Sequence, residues 1–252
     1  MTAAAPLLET LLARQFAAPE LDWPALTAQL SAAARARLGL MRADRRRQEF
    51  VLGRALAARL LHVAVGGGAW DLVPLANGKP VAVDAHGREH AAISLSHSRG
   101  HVLCAVAPTG QLGCDIEAPR PRSASSWRRL ANFDLPHPVF ALHERRWILE
   151  AADAARDRRL YALWTIKEAI GKAGGHGLRA GLARFAPDLA GIEAALAGQA
   201  AAGVDRHAHG VVACAGTTAT AWYWQLLIAD SAIISVVADA PLSARWPVLT
   251  AP

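Results

Sequence analysis

The chain has 252 residues, 53% of them hydrophobic and 19% charged, which supports a packed core and excludes a wholly disordered polypeptide. Its formal net charge of +6 suits a negatively charged partner: nucleic acid, a phosphorylated small molecule or an acidic protein. Cys104, Cys114 and Cys214 form no CxxC pair, so neither a disulfide framework nor a zinc knuckle is indicated, and free thiols in a reducing compartment are expected.

Residues 1–22 hold apolar positions at mixed spacing and give no clear fold signal. Residues 24–38 read as a helix opened by Pro24 and closed by Gly39. Residues 41–65 keep Phe50, Leu52, Leu56, Leu60 and Leu61 at helical spacing, which predicts a second, longer helix ending at the glycines 66–68. Short apolar runs follow at 69–75, 77–83, 91–98, 101–107 and 111–117, parted by Gly, Pro, Asn and Asp, as strands and turns are. Residues 118–126 read as a loop, 126–160 as irregular chain or short helices, 157–173 as a strong helix and 211–238 as strands.

The order helix, strands, helix, strands predicts an α+β fold of two similar halves, 1–110 and 111–252, packed together with the site between them. The start of the chain lacks a basic segment followed by an apolar run. No run approaches the roughly 18 apolar residues of a membrane span. A cytoplasmic protein without a membrane partner is expected.

Arg outnumbers Lys 24 to three, and two of the three lysines, Lys167 and Lys172, fall in YALWTIKEAIGKAGG at 161–175. Glu168 and Lys172 stand four apart on this helix, a spacing that on a surface gives only a weak ion pair. With Tyr161, Leu163, Trp164, Ile166 and Ile170 beside them the helix is mostly buried, so both charges need partners. A compact ammonium at Lys172 suits a phosphate oxygen.

In GCDIE at 113–117, strand alternation puts Asp115 and Glu117 on one face and Cys114 and Ile116 on the other. The plain reading is an exposed polar strand face; the functional one is a pair of carboxylates for a hard cation such as Mg²⁺, with Glu168 as a third. Lys79 sits in the turn NGKP. In SLSHS, Ser94, Ser96 and Ser98 share one face and His97 the other, a set of donors for phosphate oxygens.

Together and in order, NGKP, SLSHS, GCDIE and WTIKEAIGK, with Gly175–Leu178 after them, resemble the motifs of the larger, two-halved 4'-phosphopantetheinyl transferases. The resemblance implies two related α+β halves forming an intrachain pseudo-dimer. It implies transfer of the phosphopantetheine arm of coenzyme A to a serine of an acidic acyl or peptidyl carrier protein, with Mg²⁺ required and 3',5'-ADP released. By motif match Asp115, Glu117 and Glu168 bind the metal, and Lys79, Ser96, His97 and Lys172 meet coenzyme A.

The basic run RRRQEFVLGR resembles the family's segment near the 3'-phosphate and adenine, which selects Arg47 and Arg54. Glu168, assisted by Lys172, is the expected catalytic pair, with Glu117 the other candidate base. Lys167 is expected to serve packing or loop support. The family often carries an Arg-Phe-Phe-x-x-x-Glu segment between its acidic motifs; here the region reads NFDLPHPVFALHERRWI, with Glu144 as the remnant. The family's usual state is a monomer.

Two other readings use the same residues. A metal-dependent phosphohydrolase would share the carboxylates, though neither a P-loop nor GxGxxG is present. A basic nucleic-acid-binding protein would use the arginines, yet no zinc finger, helix-turn-helix or stacking motif accompanies them, so no nucleic-acid partner is expected. A degenerate, non-catalytic relative is disfavoured by the intact acidic residues and Lys172.

Overall fold

The computed structural model describes residues 7–11, 21–66, 68, 70–121, 123, 139–177, 181–197, 206–214, 222–228 and 232–242. They divide into two compact units, one reaching Leu112 and the other running Gly113–Leu242. Leu178, most of the NFDLPHPVF stretch and the ARWPVL tail lie outside the described residues.

The first unit contains β1 (Leu7–Leu11), α1 (Trp23–Ala28), α2 (Ala32–Gly39), α3 (Asp44–Val65), β2 (Asp71–Pro74), β3 (Pro80–Val83), β4 (Glu89–Ser98) and β5 (His101–Ala107). The single helix expected over 24–38 is two helices. The Ser31 side chain accepts the Ala34 N–H and caps α2, just as Asp22 accepts Ala25 N–H and caps α1. The long helix starts at Asp44 and stops at Gly66, whose φ of 92° lies in the region only glycine enters freely. The strands form an antiparallel sheet in the order β1-β5-β4-β3-β2. The buried stripe of α3 (Leu52, Leu56, Leu60 and Leu61) packs in one cluster with Ile93, Val102 and Val106 of the sheet.

The second unit contains β6 (Leu112–Glu117), α4 (Leu142–Glu150), α5 (Asp153–Ala173), a 3-10 turn (Leu182–Arg184), β7 (Phe185–Ala186), α6 (Leu189–Ala197), β8 (Arg206–Cys214), β9 (Trp222–Ile228) and β10 (Ile233–Ala238). Its sheet order is β6-β10-β9-β8-β7. The α5 residues Leu160, Leu163, Ile166 and Ile170 are buried with Trp224, Leu226, Ile233 and Val237. A polar contact crosses this apolar layer, between Thr165 Oγ1 and Ser235 Oγ at 2.7 Å.

The two sheets share one connectivity: first strand, last strand, then the rest in descending order. In each, the long helix falls between the first and second strands. The expected order of helix then strands is corrected in the first unit, where a strand precedes the helix; in the second, the leading strand is the one read at 111–117. In the first unit that strand is LLETL, inside the segment that carries no sequence signal.

Candidate active site

The acidic motif is placed by a glycine. A Cβ built on Gly113 would lie 1.9 Å from the carbonyl oxygen of Ala169 and 2.5 Å from the nitrogen of Ala173. Only glycine lets β6 pass so close to the backbone of α5. Two residues further on, Asp115 is buried and its Oδ1 accepts from Lys172 Nζ at 2.7 Å, while the same ammonium donates to the Cys114 carbonyl at 3.1 Å. Lys172, one helical turn from Glu168, is thus joined to β6.

Charge is crowded here. Burial, and then the negative charge of Asp115, pushes the Glu168 carboxyl up to about 7; Lys172 pulls the other way and Glu117 adds to the rise. Desolvation disfavours the Lys172 ammonium, but Asp115 foremost, with Cys114 and Glu168, holds its pKa above the ordinary lysine value. Three carboxylates of two adjacent elements therefore act on one another electrostatically around one lysine. An all-oxygen, mutually repelling donor set is the chemistry a hard divalent cation relieves. Among the described residues, no three His, Cys, Asp or Glu side chains form a ready-made metal cage. Lys172 is the cation on Asp115.

The first unit carries a separate cavity of about 530 Å³. Arg37, Arg46 and Arg54 line it together with Glu49, Phe50 and His97. The Arg54 guanidinium lies over the Phe50 ring at 4.4 Å from its centroid and Arg37 at 5.7 Å. Burial, and then the charge of Arg37, lowers the Arg54 pKa. Arg46 NH1 stands 2.7 Å from His97 Nε2 and 3.2 Å from Nδ1. Glu49 is buried, with Oε1 3.0 Å from Arg45 Nε and Oε2 3.4 Å from His97 Nδ1 and 3.7 Å from Arg46 NH1.

Against the sequence expectations, Arg54 and His97 line this cavity and Arg47 does not. Arg47 donates to the carbonyls of Leu38 at 3.0 Å and Met41 at 3.4 Å, fastening α3 to the end of α2. Arg46, one residue earlier and about 100° around the helix, takes the cavity position. Ser96 is buried on the face of β4 opposite His97 and does not line the cavity either. Lys79 sits in a turn closed by Gly78 N–H to Leu75 and Leu75 N–H to Lys79, between the cavity-lining Gly78 and Pro80. Glu49 and Arg37 are missing from the sequence reading; a buried acid inside an Arg-rich run leaves no periodic signal.

Residues 111–226 match the family model of the 4'-phosphopantetheinyl transferase superfamily. That stretch includes Asp115, Glu117, Glu168 and Lys172. Over 162 residues the chain is 30% identical to the 4'-phosphopantetheinyl transferase HetI of Nostoc sp., covering 64% of this chain and 65% of that protein. It is 37% identical over 82 residues to the 4'-phosphopantetheinyl transferase AcpT of Salmonella typhi, covering 32% and 39%. The chain thus spans just under two thirds of the length of HetI and about two fifths of AcpT. Among the described residues, no helix is long and apolar enough to cross a membrane.

Proposed function

We propose that the protein transfers the 4'-phosphopantetheine arm of coenzyme A to a serine of an acidic acyl or peptidyl carrier protein, releasing 3',5'-ADP. The observation that carries this reading is the electrostatic grouping of Asp115, Glu117 and Glu168 with Lys172 inside the stretch that matches the superfamily.

Asp115, Glu117 and Glu168 would hold Mg²⁺. A bound Mg²⁺ supplies charge neutralisation on the pyrophosphate under attack. The carrier serine Oγ attacks the phosphorus on the pantetheine side of the pyrophosphate. The new P–O bond forms as the bond to the 3',5'-ADP oxygen breaks. Glu168 takes the serine proton, since a carboxyl lifted to about 7 accepts protons near neutral pH; Glu117 is the alternative acceptor. Lys172 stabilises phosphoryl charge as a compact cation.

The cavity of the first unit takes the nucleotide end of coenzyme A, with Arg37, Arg46, Arg54 and His97 for phosphate and the Phe50 ring as an apolar surface. Lys79 serves at its rim. Asp115→Ala tests the assignment: transfer is lost while the fold persists, and normal turnover by this variant would overturn it.

A further inference from the structure

A buried carboxylate is out of place in a cavity meant for an anion. Glu49 repels phosphate, and burying its charge is costly unless partners compensate. Its side chain is only 4% exposed, yet it lines the cavity among Arg37, Arg46, Arg54 and His97. If it only balanced charge, one arginine would suffice, and Arg45 already supplies a 3.0 Å contact to Oε1. The other oxygen, Oε2, faces two groups that line the cavity themselves: Arg46 at 3.7 Å and His97 Nδ1 at 3.4 Å.

The histidine geometry is directional. Arg46 NH1 has no lone pair to offer and lies nearer His97 Nε2, at 2.7 Å, than Nδ1, at 3.2 Å, so Nε2 is the better placed of the two to accept from it. With Nε2 accepting, the ring proton falls to Nδ1, the nitrogen 3.4 Å from Glu49 Oε2. A carboxylate at that distance can hold the tautomer and the turn of the ring.

We infer that Glu49 is a positioning residue: through Oε2 it holds His97 and Arg46 in the geometry that receives a phosphate group of the ligand. This rests on the proposed binding of coenzyme A in the same cavity. Glu49 touches no ligand in this account; it acts through the two residues it orients.

The test is a mutant cycle on the full chain, with the Kd for coenzyme A read by titration calorimetry. Glu49→Gln is expected to weaken binding about tenfold, a coupling common among side chains that act as one network. In an Arg46→Ala/His97→Ala background the same substitution should change Kd less than twofold. An equal loss in both backgrounds, or less than a twofold loss from Glu49→Gln alone, overturns the inference while leaving the cavity assignment standing. Unaltered coenzyme A binding by Arg46→Ala/His97→Ala overturns both.

Should Glu49→Gln not fold, ¹⁵N NMR of the His97 ring in the unaltered protein decides. The Nδ1–H tautomer supports the inference and the Nε2–H tautomer sinks it.

Discussion

Lys167 Nζ stands 2.7 Å from Glu144 Oε1, and neither side chain is exposed at all. The ammonium also donates to the carbonyls of Leu182, at 2.9 Å, and Phe185. Glu144 Oε2 in turn accepts the Ala141 N–H at 2.7 Å at the start of α4. One buried ion pair therefore ties α4, α5 and the turn leading into β7. Burial lowers the Lys167 pKa, and the charge of Glu144 opposes that. The loop support expected of Lys167 is here given a partner, Glu144.

Breaking this pair from one side leaves a charge buried without compensation. Lys167→Ala is expected to cost about 3–5 kcal/mol of stability in denaturant titration. Lys167→Met with Glu144→Gln should cost less than either single change. A loss under about 1 kcal/mol from Lys167→Ala would show the pair to be dispensable.

Gly113→Ala should be equally severe for a different reason. A methyl group 1.9 Å from a helix carbonyl has no room, so β6 must move away from α5. The expected loss is about 3 kcal/mol or more, with the Asp115–Lys172 contact broken. A variant of unchanged melting temperature and activity would contradict the close packing.

The metal-free protein should grow less stable as pH rises toward neutrality through Glu168. Its carboxyl titrates at about 7 when folded, above the roughly 4.3 of an unfolded glutamate. Between those values the folded chain holds a proton that the unfolded chain has lost. The stabilising contribution is full below about 4.3 and is lost as pH passes 7, on the order of 3–4 kcal/mol. Glu168→Gln should flatten this part of the stability profile, and an identical profile in the variant would refute the assignment.

At pH 8, added Mg²⁺ should raise the melting temperature of the unaltered protein and leave that of Asp115→Ala in place, because binding to the folded state alone stabilises it. Equal shifts in both proteins would place the metal elsewhere.

Transfer to an acidic carrier should slow as salt is added, since a chain of net charge +6 attracts it over distances that ions screen. A kcat/KM independent of ionic strength would remove long-range attraction from the account.

What the sequence makes legible is local. Asp115 and Glu117 alternate on a strand, and Glu168 and Lys172 stand one helical turn apart, so residue type and spacing suffice to pick them. The rest depends on distant chain. Two carbonyl partners of Lys167 lie 15 and 18 residues downstream, where no side-chain pattern announces them. Arg46 rather than Arg47 reaches the cavity because of how α3 is rotated on its sheet, a matter of packing that a run of three arginines leaves open. Glu49 looks like solvent-facing charge until Arg45, Arg46 and His97 are placed around it. The strand LLETL is too short and too weakly alternating to declare itself, and only its pairing with β5 identifies it.

The central claim is phosphopantetheine transfer, and intact-protein mass spectrometry tests it most directly. The protein would be incubated with coenzyme A, Mg²⁺ and a panel of apo acyl and peptidyl carrier proteins, with a parallel EDTA control. The account predicts a phosphopantetheine-sized mass gain on at least one carrier, abolished by EDTA and by Asp115→Ala. No gain on any carrier from folded protein, with phosphate released from coenzyme A instead, would contradict it and favour a phosphohydrolase.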